Sequence, residues 1–250
     1  MGKSEAPVPP ESEGSGGDIQ VIARVVSLLE CLEPEATTLD TQTTAKVLGV
    51  GRSTAHRYLV SLERGGLLRR RDATTFELGP VLARLGTLAL SRLGVLEAAG
   101  PVMQELCRAI RNTAVLSVWG GRAPVIARVV PDSSRITTIS VEVGRSLPPD
   151  AAQSKVFAAY HKLARTGRPP AGGHLRVIED EGLKAVGGVL TSIHVYGSGG
   201  FKTIAAPVLS SDGTIVATLA VIGLSVFMPD NEDDMVTDHL VEAAARITPS

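Results

Sequence analysis

Two helical periods separated by Gly49-Val50-Gly51, with Gly65-Gly66 closing the second and a short strand-turn-strand pattern behind it, leave few ways to fold the opening part of this chain. Residues 49–71 read GVGRSTAHRYLVSLERGGLLRRR. Stepped at ~100° per residue, His56, Arg57, Val60 and Arg64 fall within about 60° of Ser53, and Ala55, Leu59 and Leu62 gather on the opposite side. The apolar side is a docking stripe. The other side is short and polar where the helix starts and cationic further along, which suits a groove lined by phosphates and base edges.

The flanking segments extend the pattern. DIQVIARVVSLLECLE sets Ile22, Val25, Val26, Leu29 and Leu32 at helix-core spacing behind Asp18 as N-cap, and Pro34 stops it. TQTTAKVLGV supplies a short second helix. LLRRR and TTFELG, parted by Asp72-Ala73, make a hairpin. Three helices, a glycine-containing turn and a following hairpin predict a winged helix-turn-helix over residues 18–79.

Charge distribution says more than net charge, which is −1. Between Thr41 and Arg71 there are seven basic residues (Lys46, Arg52, Arg57, Arg64, Arg69, Arg70, Arg71) and one acid, Glu63. A basic island on an otherwise acidic chain predicts an anionic partner for that island alone.

Residues 1–17, MGKSEAPVPPESEGSGG, have almost nothing to bury and are expected to be a disordered tail without the apolar core of a secretory leader. Ala6 stands where a myristoylation motif needs Ser or Thr. The longest near-apolar run, Thr214 to Met228, is fifteen residues, too short for a membrane-spanning helix. Cys31 and Cys107 lie far apart in helical apolar patterns and read as buried thiols. A cytoplasmic protein that does not meet the membrane is expected.

Pro80 opens a helix, VLARLGTLALSRL, too apolar for a solvated connector; residues 80–95 are expected to be a linker helix that packs on a partner. LEAAGPVMQELCRAIRN is another helix, and from Thr113 the period shifts to strands: TAVLSVWGG, PVIARVV and ITTISVEV. A helix, AAQSKVFAAYHKLA, precedes a Gly/Pro-rich stretch, then come strands TSIHVY, FKTIAAPVL and TIVATLAVIGL. Residues 231–247 close as a helix with acids in the first turn, favourable to its dipole. The fold class is α+β, with a second domain over residues 96–250.

Segments in this order resemble the IclR family of bacterial transcriptional regulators from Asp18 to Ile247. They are IQVIARVVSLLECL, GVGRSTAHRYLVSLERGGLLRR, FELGPVLARLG, VGRSLPPDAAQSK and KTIAAPVLSSDGTIVATLAVIG. The resemblance implies a winged helix-turn-helix joined by a linker helix to a C-terminal, GAF-like effector-binding domain. It implies a homodimer or tetramer, most often a repressor, whose affinity for a double-stranded DNA operator responds to a small metabolite. The chain departs from the family at Gln42-Thr43-Thr44, where an acidic-apolar-alanine run is common, and at Gly51, where many members have proline.

On this footing the DNA-binding residues are Arg52, Ser53, Thr54, His56, Arg57, Arg64, Arg70 and Arg71. Arg57 has the length and fork geometry for a guanine edge or phosphate, and Ser53 and Thr54 stand nearer the backbone. Arg69, Arg70 and Arg71 cannot all face DNA if they alternate along a strand. Matching the family's motifs gives Gln153, Ser154, Thr203, Ala220 and Ile222 as the effector-binding residues. The family often has histidine near Asp150, glycine at Ser154, a Ser-x-Ser pattern at Ala220 and Ile222, and an acid where YGSGG stands. The implied pocket is therefore apolar, and its effector an aromatic or partly apolar acid rather than a two-carbon acid.

Enzymatic readings find less support. His56, His161, His174, His194 and His239 never fall at metal-ligand spacing, and two cysteines cannot build a structural zinc site. GSGG at 197–200 lacks the lysine of a phosphate loop. Ser154-Lys155 invites a serine-lysine hydrolase, so a hydrolase or isomerase using the C-terminal cavity is the alternative to a regulator. No metal, cofactor or catalytic residue is expected.

Overall fold

The computed structural model describes residues 19–132, 141–165, 183–186, 189–196, 200–228, 230 and 233–247. The chain divides into two compact units, residues 1–32 with 36–82 and residues 33–35 with 83–250. No helix among the described residues is long and apolar enough to cross a membrane.

The first unit runs α1 (Gln20–Leu29), β1 (Leu39–Asp40), α2 (Thr41–Leu48), α3 (Arg52–Arg64), β2 (Leu68–Arg70) and β3 (Thr75–Leu78). The Asp40 carboxylate accepts from the Thr43 amide at 2.6 Å and so caps α2; the same bond holds its pKa below the usual carboxylate value. Gly49 ends α2 in the left-handed region at φ 63°, which any side chain would strain. Gly51 caps α3 at φ −68°, the value proline itself imposes, so the family's usual residue would fit this backbone angle. Leu28, Leu39, Leu59, Leu62, Leu68 and Phe76 make the core, each worth about 1.5–3 kcal/mol on burial.

Two details differ from expectation here. Leu39-Asp40 pairs with β3, giving a three-stranded sheet of order β1-β3-β2; two residues are too few to show a period. Ile19 occupies the N-cap of α1 without a side-chain bond, and Asp18, the expected cap, lies outside the described residues.

Helix α4 (Pro80–Ser91) crosses the division between the units, and none of its residues is buried; Leu85, Leu88 and Leu90 are 43%, 48% and 43% exposed.

The second unit contains α5 (Val95–Ile110), β4 (Thr113–Trp119), β5 (Pro124–Val130), α6 (Ala152–Arg165), β6 (Leu183–Val186), β7 (Val189–Tyr196), β8 (Phe201–Leu209), β9 (Ile215–Leu224) and α7 (Asp233–Arg246). The strands form one antiparallel sheet of order β5-β4-β9-β8-β7-β6. Alternation along them decides the layers. Ala114 and Leu116, Ile204, Ala206 and Val208, and Ala217, Leu219 and Val221 pack with α5 and α7 in the main core. The alternate residues turn to the other face, where Ala205 and Ala220 meet Ala152, Val156, Ala159 and Tyr160 of α6. The result is a helix–sheet–helix sandwich.

Strand β6 lies inside the stretch whose Gly and Pro content pointed to a loop. Of the expected strand ITTISVEV, residues 136–140 lie outside the described residues and Val141 to Val143 are not in a strand. Lys202 is 2% exposed yet fully engaged, donating to the Met228 carbonyl at 2.9 Å and the Asp230 carboxylate at 2.6 Å. That bond holds the Asp230 carboxyl below its usual pKa. Both cysteines are free thiols; Cys107 is buried, and half-buried Cys31 donates to the Ser27 carbonyl at 3.1 Å. Burial pushes both thiol pKa values up.

Candidate nucleic-acid interface and ligand cavity

On α3 the inward stripe is Ala55, Leu59 and Leu62, at 0%, 0% and 5% exposure. Arg52, Ser53, His56, Arg57 and Arg64 are exposed on the other side, and Thr54 is half-buried. The helix starts free of any side-chain cap, so the first amides of α3 stand open beside Ser53 and Thr54. An exposed helix start rich in hydroxyls, with arginines one and three turns along, can take phosphates at its N-terminus and base edges along its side.

The three wing arginines separate as strand alternation demands. Arg69 pairs with its cross-strand neighbour Glu77 at 2.6 Å. Arg70 lies on the opposite face, donating through Nε and Nη2 to the Glu63 carboxylate at 3.2 and 3.1 Å. Arg71 is exposed and has no such partner among the described residues. Sequence reasoning placed Arg70 with the DNA contacts; in the structure its guanidinium is engaged within the module. Glu63 was the missed residue. It stands seven positions away across a turn, a separation no periodicity reports.

The wing's turn is tightly organised. The Asp72 carboxylate accepts from the Thr75 hydroxyl at 2.5 Å and from the Thr74 and Thr75 amides at 2.8 and 2.9 Å. These bonds, the Thr75 hydroxyl first, hold its pKa far below the usual carboxylate range.

In the second unit a small cavity, open on one side, lies between the sheet and the start of α6. Val115, Thr203, Ala220 and Ile222 form its sheet wall; Ala151, Ala152 and Gln153 form its helix side; Ile126, Val141 and Leu147 complete the lining. The register explains the grouping. Thr203 lies opposite Ile222, and Ala205 opposite Ala220, which in turn lies opposite Val115. Directly opposed residues share a face.

Four of the five expected effector residues therefore meet around one space. Ser154 is not on its wall. It is buried, but one residue past Gln153 on a helix is a rotation of ~100°, and Gln153 is the one turned to the sheet. The Gln153 amide nitrogen donates to the Ser117 hydroxyl at 2.9 Å and to the Thr218 hydroxyl at 3.3 Å. Among the described residues the Thr203 hydroxyl, on a residue 6% exposed, has no hydrogen-bond partner, and neither has that of Ser154. A buried hydroxyl without a partner on a cavity wall is an open place for a ligand's polar atom. Val115 and Ile126 were legible as lining from alternation in TAVLSVW and PVIARVV; Val141 and Leu147 lie outside any regular element and carried no signal.

Among the described residues no group of His, Cys, Asp and Glu could hold a metal ion. His174 and Gly197 to Gly199 of the GSGG run lie outside the described residues.

A three-helix module with a β wing, followed by an α+β unit whose antiparallel sheet walls a cavity, defines a winged helix-turn-helix protein with a second, pocketed unit. Residues 21–72 match the IclR helix-turn-helix domain. The HTH-type transcriptional regulator Rv1719 of Mycobacterium tuberculosis is 38% identical over 140 residues, which are 55% of this chain and 52% of that relative; the chain thus spans about half the length of this relative. An IclR family regulator from Brucella abortus shares the fold over 92% of this chain and 91% of its own, with a TM-score of 0.67 at 22% identity. So does an IclR homologue from Microbacterium hydrocarbonoxydans, solved with 4-hydroxybenzoate, over 90% and 96%, at a TM-score of 0.63 and 21% identity. Residues 21–72 thus carry an IclR-type helix-turn-helix domain, and the chain as a whole has the fold seen in IclR-family regulators.

Proposed function

We propose that this protein is a repressor that binds a DNA operator through α3 and the wing, and that a small organic acid held in the second unit's cavity sets its affinity for that operator. The observation that carries the effector half is the cavity itself, with its apolar lining and one unpartnered buried hydroxyl, Thr203. Apolar walls favour a ring or branched hydrocarbon by about 25 cal/mol per Å² removed from water. The polar end has donors: the Thr203 hydroxyl, and the first amides of α6, which lack intrahelical acceptors and carry the positive end of the helix dipole. An aromatic or partly apolar acid satisfies both ends. A two-carbon acid leaves the apolar wall unfilled. The 4-hydroxybenzoate bound by the Microbacterium homologue is a molecule of this kind.

The protein works in the cytoplasm as a homodimer or tetramer. Support for assembly comes from α4, whose leucines are too exposed for a helix that stands alone in water. Regulation rather than catalysis fits the relatives' names and the DNA-facing module. Genomic fragments captured by the purified protein provide the operator. Binding to them, followed by anisotropy with and without 4-hydroxybenzoate and a panel of aromatic and short-chain acids, tests the reading. Salt-steep, sequence-selective binding shifted at least severalfold by an aromatic acid is expected. Selective binding unmoved by every acid removes the effector assignment; failure to bind any duplex removes the regulator.

A further inference from the structure

Glu63 is the one acid between Thr41 and Arg71, and it lies in the last turn of α3, facing the base of the wing. A carboxylate so near a DNA-facing surface weakens phosphate binding unless a cation neutralises it. The neutralising cation is Arg70, and its hold is not a single contact. Nε and Nη2 make a two-pronged bond to Glu63 at 3.2 and 3.1 Å, Nη1 donates to the Ala73 carbonyl at 3.3 Å, and the guanidinium carbon lies 4.5 Å from the centre of the Phe76 ring. Phe76 is 1% exposed and belongs to the core of the module. One planar group thus joins the end of α3, the wing's turn and β3.

We propose that Arg70 is a positioning residue rather than a DNA ligand: with Glu63 it clasps the wing at a fixed angle to the recognition helix, and Arg71 makes the wing's phosphate contact. The proposal rests on the reading of this module as DNA-binding. To reach a phosphate, Arg70 would have to give up three hydrogen bonds and leave a bare carboxylate beside the DNA. Fork-to-carboxylate geometry fixes orientation as well as distance, and a lysine cannot reproduce it. As an exposed pair the clasp adds little global stability; its effect is on local geometry.

The test uses the full chain and a random-sequence duplex, with the variants R70A, R70K, E63Q, E63Q/R70Q, R71A and the reversal E63R/R70E. Two quantities are read: the slope of log affinity against log salt, and amide hydrogen exchange of β2 and β3 in the free protein. R71A is expected to flatten the slope by about one unit and leave exchange unchanged. R70K, E63Q and E63Q/R70Q, none of which leaves a bare carboxylate beside the DNA, are expected to leave the slope unchanged; R70A, R70K and E63Q are expected to speed exchange in the wing about fivefold, with E63R/R70E restoring protection. If E63Q/R70Q, which removes both charges of the pair, flattens the slope as R71A does, Arg70 is a phosphate contact and the clasp is overturned. If E63Q leaves wing exchange at the wild-type rate, the clasp is overturned as well. Absence of salt-steep binding by the wild type would remove the DNA-binding reading instead, while exchange still decides the clasp.

Discussion

Gln153 donates through Nε2 to the Ser117 hydroxyl at 2.9 Å, tying the first turn of α6 to β4 beside the cavity. Gln153 and Ser117 are 4% and 0% exposed, so water cannot replace the bond. The side chain that the sequence offered as a ligand contact therefore has a structural partner, and its nitrogen is turned from the space it borders. Gln153→Leu keeps most of the volume but leaves the Ser117 and Thr218 hydroxyls without their donor, at a cost of about 1–3 kcal/mol. Urea unfolding monitored at Trp119 measures it; a loss under about 0.5 kcal/mol would show that the tie contributes nothing.

Ile222 lies opposite Thr203 across the β8–β9 pair, with its side chain on the cavity wall. Ile222→Ser removes apolar wall and adds a hydroxyl beside the one already unpartnered. Thermal stabilisation by aromatic acids should fall and that by two- and three-carbon acids should rise, by linkage to the bound state. Wild-type protein stabilised by short acids and indifferent to aromatic ones would contradict the assigned ligand class.

Arg57 stands exposed one turn into α3, on the side away from Ala55, Leu59 and Leu62. Arg57→Ala should weaken binding to a captured operator by about 1–3 kcal/mol and relax preference at one base pair. Wild-type affinity in a competition assay over single-base operator variants would remove α3 from the groove.

Asp72 organises the wing's turn only as a carboxylate, since all four of its hydrogen bonds are donated to it by Thr74 and Thr75. Its folded pKa is depressed, so the stability it contributes is present in full above the ordinary aspartate value of about 3.9 and is lost as the pH falls below that toward the folded value. The wing should be insensitive to pH from neutrality to about 5, then loosen in acid. A carboxyl-carbon NMR titration reads this directly, and a midpoint at the ordinary value would show the turn bonds to be absent in solution.

Legibility in the sequence followed the length of each pattern. The stripe of α3, the apolar runs of α5 and α6 and the alternation of β4, β8 and β9 extend over enough residues to declare both element and buried face. Leu39-Asp40 is two residues long, and the β6 segment Leu183–Val186 carries a lysine inside a Gly/Pro-rich stretch, so neither could. The cavity residues Thr203, Ala220 and Ile222 were legible because motif and alternation agree on them. Ser154 stands one helical step from the cavity wall, a rotation that motif matching does not register. The Glu63–Arg70 pairing depends on how β2 packs beside the end of α3, which is a tertiary fact with no local signature.

Strands β8 and β9 give every second residue to the main core and the intervening ones to the cavity: Ile204, Val221 and Leu219 on one side, Thr203, Ile222 and Ala220 on the other. A lineage carrying this sheet can exchange chemistries at the second set while the first goes on holding the domain together. The chemistry of the cavity wall is thus separable, at Thr203 and Ile222, from the capacity to fold, and a drifting population can sample the one without forfeiting the other.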